Sequence, residues 1–417
     1  MTAMSQLLDV VFTVLQIIVG GIGVYQVLLG CAGIVRKKEE RRHAVHKSFA
    51  VLVAAHNEEA VVGALLQNLG GLDYPKELYE VFVICDNCTD RTAEIARAHG
   101  VHAMVRTAPD RRGKGHAIEW MLEELWAYGR PFDGVVILDA DNLVSPNFLL
   151  EMNEKLSRGE RVIQAYLETK NPYDSWVSLS YALMYWYMNR VWQLARYQLG
   201  LPNVLGGTGI CIETALLREI GWGAQSLTED VEFTARCVER GIYPTWAHEA
   251  IVYDEKPITL WSSMRQRLRW MQGHVFCARR YFWRLVILAF KQRSWARLDA
   301  ALYLFQPFRF LLYIVYIFML YAQVATSLID RMGVTRLLPD AFWTTVGLLL
   351  FLQTPLVLWI ERKSWKAFLG YIPYQLFLLT WMPVTVWAFF TSNNQTWSHT
   401  QHTRAITIDE LQHEARP

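Results

Sequence analysis

The chain has 417 residues, 53% hydrophobic and 13% aromatic, with 17 Trp and a formal charge of +2. That is too apolar for an ordinary soluble enzyme and too charged for a bare membrane bundle, so a soluble domain joined to membrane segments is expected. The near-neutral balance excludes a basic field for nucleic acid, and six scattered Cys, with Cys85 and Cys88 the one close pair, form neither a disulfide framework nor a zinc pattern and read as reduced cytosolic thiols.

Residues 10–35, "VVFTVLQIIVGGIGVYQVLLGCAGIV", are an uncharged run longer than the ~20 residues that cross a bilayer. The run lacks the cationic start of a signal peptide. Residues 36–47, "RKKEERRHAVHK", put five Lys/Arg in seven positions. By the positive-inside rule this places the chain after Arg36 in the cytosol, in a multi-pass protein of the plasma membrane.

The next segment repeats one grammar. "FAVLVAA" (49–55) is a strand that stops at His56-Asn57-Glu58-Glu59 before a helical pattern. "VFVIC" (81–85) ends at Asp86-Asn87-Cys88-Thr89-Asp90 before a helix over 92–99, and "GVVIL" (134–138) ends at Asp139-Ala140-Asp141-Asn142, with Pro146 opening the next helix. Alternating strands and helices predict an α/β domain with a mostly parallel sheet, helices on both faces and ligands beyond the carboxyl ends of the strands.

Asp139 and Asp141 suit a hard divalent cation that bridges phosphate oxygens. Arg111-Arg112-Gly113-Lys114-Gly115-His116 offers amides and positive charge to a pyrophosphate, yet Lys114 is not followed by Ser or Thr, so no P-loop is present. "GGTGICI" (206–212) allows close approach of backbone or ligand. In Ser226-Leu227-Thr228-Glu229-Asp230 a hydroxyl could cap the next helix, or a carboxylate could take a proton from an attacking hydroxyl.

Two aromatic, charge-interrupted stretches, 175–199 and 258–290, read as helices lying in the headgroup layer. The second contains "SMRQRLRWMQGH" (263–274), which alone could be a basic membrane collar. Beyond it, 310–328 and 342–360 read as spans, separated from a third apolar run, 368–390, by the cationic loop 361–366. With Pro373 and Pro383 the third run either crosses or bends back; the returning form, which keeps the tail cytosolic, is expected here.

His56-Asn57-Glu58, Asp86, Asp139-x-Asp141, Thr228-Glu229-Asp230 and Gln266-Arg267-x-Arg269-Trp270, in that order and flanked by membrane segments, resemble the inverting membrane glycosyltransferases of family 2, which include cellulose, hyaluronan, chitin-oligosaccharide and poly-N-acetylglucosamine synthases. The resemblance covers roughly residues 48–274. It implies a GT-A type fold in which Ala54, His56, Glu58, Asp86 and Lys114 contact the nucleotide, and Asp139 with Asp141 holds the diphosphate and Mg²⁺ or Mn²⁺. It makes Asp230 the general base, with Glu229 and Thr228 beside the acceptor. Gly207, Thr208, Gly209, Gln266 and Trp270 would face the acceptor, and Arg267 and Arg269 the diphosphate. Asn87-Cys88 departs from the second acidic residue of many relatives. Trp397, Thr400 and His402 resemble a tail that some relatives fold over the active site.

The chain thus divides into a membrane helix (1–35), a basic linker (36–47), a catalytic domain (48–255), interfacial helices with the QRLRW motif (256–298), membrane segments (299–391) and a polar tail (392–417). The expected activity is polymerisation of UDP-N-acetylglucosamine or UDP-glucose into an exported β-linked polysaccharide. The alternatives are one transfer to a lipid acceptor and, in another class, nucleotide-sugar binding without turnover. A homo-oligomer or an accessory subunit would supply further channel helices.

Overall fold

The computed structural model describes residues 3–308 except 38 and 225, together with 312, 337–394 and 404–414. Helix α1 (Ala3–Ile34) carries the N-terminal apolar run. Then come β1 (Phe49–Ala55), α2 (Val62–Gly70), β2 (Tyr79–Asp86), α3 (Thr92–Ala98), β3 (His102–Arg106), α4 (Lys114–Ala127), β4 (Gly134–Asp139), β5 (Leu143–Val144), α5 (Phe148–Ser157) and β6 (Val162–Thr169). Alternate residues of β1 serve two cores. Val51 and Val53 pack with Leu65, Leu69, Phe148 and Met152 on one face, and Ala50 and Leu52 with Ile118, Leu122 and Leu217 on the other. A strand covered on both faces has no polar alternation, which is why β1 reads as a continuous apolar run. Each buried Val or Leu contributes roughly 1.5–3 kcal/mol.

After β6 the chain makes a long excursion, through α6 (Trp176–Tyr187), a π-helical segment Met188–Leu194 and α7 (Ala195–Gln198), before β7 (Ile210–Glu213), α8 (Thr214–Ile220), α9 (Glu229–Glu239) and β8 (Thr245–Asp254). The sheet order is β3-β2-β1-β4-β7-β6-β8-β5. The first four strands are parallel, whereas β7 is antiparallel to both β4 and β6, and β5 to β8. The expectation of a mostly parallel sheet is therefore corrected to a mixed one. Ile210 pairs with Ile137 and Glu213 with Gly134, so β7 enters from the carboxyl end of β4 and can only run back.

The stretch 175–199 does not present its charges to a headgroup layer. Asn189 Nδ2 donates to Leu167 O at 2.8 Å, and Arg190 donates to Gly33 O (2.7 Å) and Ile34 O (2.8 Å) while pairing with Glu361 at 2.7 Å. Arg190 thereby satisfies carbonyls at the end of α1 that have no donor in their own helix. These polar residues tie the sheet domain to the membrane helices.

Helix α10 (Leu260–Gln292) is one long amphipathic helix, with Trp261, Trp283 and Phe290 exposed on one side and Ser263, Arg267, Met271, Val275 and Tyr281 buried on the other. It leads to α11 (Trp295–Leu304). Helix α12 (Asp340–Ile360) lies along α1. A Cβ at Gly23 would sit 2.9 Å from Val346, so the small residues of α1 permit the close approach usual between membrane helices. Then come α13 (Trp365–Leu379) and α14 (Trp381–Thr391), which meet at Thr380. Among the described residues, three stretches are long and apolar enough to cross a membrane: Asp9–Ile34, Asp340–Ile360 and Trp365–Thr391. The third packs on α6 through α13 and on α10 through α14. Beyond it, Arg404 N–H donates to Glu255 at 3.1 Å and its guanidinium pairs with Asp174. The described tail, which ends in α15 (Ile408–Glu414), thus touches the sheet domain at Arg404. The expected span 310–328, and Trp397, Thr400 and His402, lie outside the described residues.

Candidate active site

The carboxyl ends of β1, β2 and β4 open on a cavity of about 760 Å³. Ala54, His56, Glu58 and Asp86 line one end of it. Asn57 and Asn87 turn the chain out of β1 and β2 with φ of 55° and 51°, a left-handed conformation that Asn tolerates. His56 Nδ1 lies 2.6 Å from Asp86 O, and Asp86 pairs with Arg106, whose Nη2 donates to Arg111 O at 2.9 Å. Arg106, at the carboxyl end of β3, went unread in the sequence. Asn87, the departure from the acidic pattern, holds this loop by accepting from Ala108 N–H at 2.8 Å.

Asp139 is set by its own N–H, which donates to Asn142 Oδ1 (3.0 Å) and Thr208 Oγ1 (3.1 Å). Lys114, the first residue of α4, pairs with the Asp139 carboxylate and donates to Gly207 O at 2.7 Å. Burial works against the Lys114 ammonium, but Asp139, Glu229 and Asp230 outweigh it and hold its pKa above the ordinary range. Asp141 accepts from Glu255 N–H at 3.0 Å and Asn142 Nδ2 at 3.2 Å.

An all-oxygen pair fits a hard divalent ion. No three carboxylate, thiol or imidazole side chains converge among the described residues, so such an ion would take its other ligands from diphosphate and water. The Asp139 side chain is 39% exposed and within reach of a ligand. Asp254, unread in the sequence, lines the same space at the end of β8. Its Oδ2 is 2.5 Å from Lys256 Nζ, and its Oδ1 has no partner among the described residues. Burial, reinforced by Asp141 and Asp139, pushes its carboxyl up to about 6 despite Lys256.

Glu229 and Asp230 open α9 at the middle of the cavity. Neither nearby hydroxyl caps the helix: Ser226 Oγ donates to Thr228 O at 3.0 Å, and Thr228 makes no cap bond. Thr228 is instead pressed against α10, where a Cβ at Gly273 would fall 2.4 Å from Thr228 Oγ1 and 2.7 Å from its N. Gly273 thus sets how closely the start of α9 approaches α10. Burial raises both carboxyls. Glu229 is raised further, because the Asp230 charge adds to its burial, while the Val231 N–H and Lys114 hold Asp230 lower. Burial therefore favours the protonated form of both carboxyls, and more strongly at Glu229 than at Asp230.

Gln266, Arg269 and Trp270 line the cavity from α10. Gln266 Oε1 is buried with no partner among the described residues, and Trp270 stands edge-on to Tyr181 at 6.0 Å. Burial lowers the Arg269 pKa, opposed by Glu229 and Asp139. Arg267 is not in the cavity. It is fully buried on the opposite side of α10, 4.2 Å from the Phe377 ring centroid and 5.0 Å from that of Trp381, and donates to Thr380 Oγ1 at 2.8 Å. The expected diphosphate contact at Arg267 is corrected to a clamp on the junction of α13 and α14, because residues two apart on a helix point roughly 200° away from each other. Gly207 and Thr208 line the cavity. Gly209 does not, and a Cβ there would fall 2.7 Å from Val252 of β8.

The cavity continues past Trp270 to the membrane helices, where Gln26, Leu350, Phe351, Thr354 and Tyr371 form its walls. Phe351 is the residue whose carbonyl Pro355 leaves without a helical donor; the Tyr371 hydroxyl supplies one at 2.6 Å.

A family model described as "Glycosyltransferase like family 2" matches residues 46–273. The chain is 30% identical over 241 residues to the beta-monoglucosyldiacylglycerol synthase of Nostoc sp., covering 54% of this chain and 48% of that one. It therefore spans about half the length of that relative. It is 22% identical over 369 residues to the poly-beta-1,6-N-acetyl-D-glucosamine synthase of Staphylococcus epidermidis, covering 83% and 81%. Among solved structures it is similar to a mannosyltransferase of Pyrobaculum calidifontis, determined with GDP-Man and Mn²⁺, at a TM-score of 0.59 and 18% identity over 93% of this chain and 99% of that one. The mixed sheet and its strand-end site have the GT-A type fold expected from the resemblance.

Proposed function

We propose that this chain, which belongs to glycosyltransferase family 2, transfers one sugar from a UDP-sugar, UDP-glucose or UDP-N-acetylglucosamine, to a hydroxyl of a lipid acceptor lying in the membrane, with inversion at the sugar carbon. The observation that carries this reading is the continuity of the cavity, from Asp139 and Asp230 to Phe351 and Thr354 of α12. At ~1.5 Å per residue, Phe351 lies about 15 Å from the domain end of α12. An acceptor that fills this arm has an apolar part. The sheet domain would sit at the cytosolic face of the plasma membrane, as the cationic linker after α1 implies.

Asp230 takes the proton of the acceptor hydroxyl; the oxygen forms its bond to the sugar carbon as the bond to the diphosphate breaks, and the electron pair leaves with UDP. Glu229, whose carboxyl is raised further than that of Asp230, stands beside the base in the chain. Lys114 and Arg269 face the leaving diphosphate, and a Mg²⁺ or Mn²⁺ ion held by Asp139, Asp141 and the diphosphate would neutralise further charge. Trp270 and Gln266 orient the acceptor.

Polymerisation is the second reading, favoured by the resemblance to the staphylococcal synthase over most of the chain. Purified enzyme given each UDP-sugar with Mg²⁺ or Mn²⁺ and membrane lipid separates the two. One discrete glycolipid by mass spectrometry is the expected product, and a ladder of saccharides would replace the lipid reading with the polymer one.

A further inference from the structure

Resting on the proposed roles of Asp230 as base and Lys114 at the diphosphate, we infer that Gln164 is a positioning residue for the transfer. It clamps the segment 205–208, which spaces the base from the leaving group. Gln164 is the amide in an otherwise apolar stretch of β6, "VIQAYL" (162–167), and it is fully buried. A buried amide costs free energy unless its oxygen and both its hydrogens find partners. Here all three do: Oε1 accepts from Gly206 N–H at 2.8 Å, and Nε2 donates to Thr208 O at 2.9 Å and to Ala165 O at 3.0 Å. Gln164 pairs with Ile210 at the end of the β6–β7 ladder, so its amide carries the hydrogen bonding of the sheet into the segment that precedes β7.

That segment is fastened to both sides of the reaction. On the diphosphate side, Gly207 O accepts from Lys114 Nζ at 2.7 Å, and Thr208 Oγ1 accepts from Asp139 N–H at 3.1 Å while donating to Asn142 Oδ1. On the base side, Leu205 N–H donates to Thr234 Oγ1 at 3.1 Å, and that hydroxyl donates to the Asp230 carbonyl at 2.8 Å. The Asp230 carboxylate itself stands against Gly207, where a Cβ would fall 3.4 Å from Oδ2. With Gly207 at a φ of 83° and Gly209 at 64°, the backbone here has little stiffness of its own. Gln164 supplies it by holding the residues on either side of Gly207. Without that clamp Asp230 and Lys114 both remain but their spacing is no longer fixed, which costs turnover more than donor affinity.

The test measures sugar transferred, to lipid or polymer alike, per UDP-binding site of the full-length protein in detergent, with the sites counted by calorimetry so that misfolded protein drops out. Q164L is close in size and removes both bonds to the segment. It should lower kcat about 10²-fold, the cost of misplacing a reacting group by about 1 Å, while UDP affinity moves less than about threefold. Q164E should recover most of that loss, because a carboxyl buried there takes a proton and keeps an acceptor for Gly206 and a donor for Thr208. T234V cuts only the base-side fastening, at a residue that does not line the cavity, and should lower kcat about tenfold with UDP affinity again unmoved. Unchanged kcat per site in Q164L overturns the positioning role, as does a Q164E no better than Q164L or a UDP affinity that falls as far as kcat. Where Q164L fails to bind UDP, unchanged kcat in T234V overturns it instead. A wild-type protein that binds UDP-sugars and transfers no sugar from any of them overturns the proposed function, and the role of Gln164 with it.

Discussion

The two ends of the cavity hold ion pairs of different kinds. At the donor end Lys114 meets Asp139 with side chains 17% and 39% exposed; at the membrane end Arg196 meets Asp299 with both at 4%. An exposed pair is held weakly and can exchange partners, so in the proposed mechanism Lys114 turns from Asp139 to the diphosphate of an entering donor. A buried pair whose partner is removed leaves an uncompensated charge, so Arg196 is fixed in place by Asp299. Reach for a ligand, not the presence of opposite charges, separates a switchable contact from a scaffold.

Five changes would break or sharpen this contrast. The largest effect is expected from D230N, which should lower turnover about 10²–10⁴-fold while donor binding, followed by calorimetry, survives; normal turnover would remove Asp230 as the base. D299A should cost about 3–5 kcal/mol of stability, read as a fall in Tm in detergent, because it strands Arg196. K114M, by contrast, should spare stability and raise the donor KM, and a larger Tm loss from K114M than from D299A would invert the comparison. Next, G273A drives a methyl into Thr228 and should cost about 1–3 kcal/mol and lower kcat more than it changes the donor KM. The smallest shift is expected from N87D, which sets a second carboxylate beside Asp86 where Asn87 Nδ2 now donates at 2.9 Å. A rise of about fivefold in donor KM, on the order of 1 kcal/mol, would fit.

The pH profile tests the carboxylate pair directly. In the proposed mechanism Asp230 acts ionised, and burial raises its pKa, so acidification should protonate it and remove activity at a pH above the ~3.9 of an ordinary Asp. An acid limb of kcat/KM at the ordinary value would show that Asp230 is not desolvated in the working enzyme.

Much of the catalytic end was legible in the sequence because each of its groups sits at the end of a strand or the start of a helix. β1 begins and ends where its apolar run does, and the clusters at 56–58, 86 and 139–141 converge because parallel strands share a carboxyl edge. Asp254 was missed because it ends a strand that joins the sheet out of order, beside β6. Arg267 was misassigned because a linear motif says which residues cluster and not which side of α10 each one takes.

The sequence by itself determined the apolar spans, the strand-loop-helix repeat and the identity of the strand-end carboxylates, all of which depend on neighbours a few residues away. Only the tertiary structure decided that β7 runs against the sheet, that Arg190 ties α1 to the domain, and that Arg196 is buried against Asp299, 103 residues away. A charge buried in a protein takes its meaning from the partner that desolvation forces on it, and no local pattern records that partner.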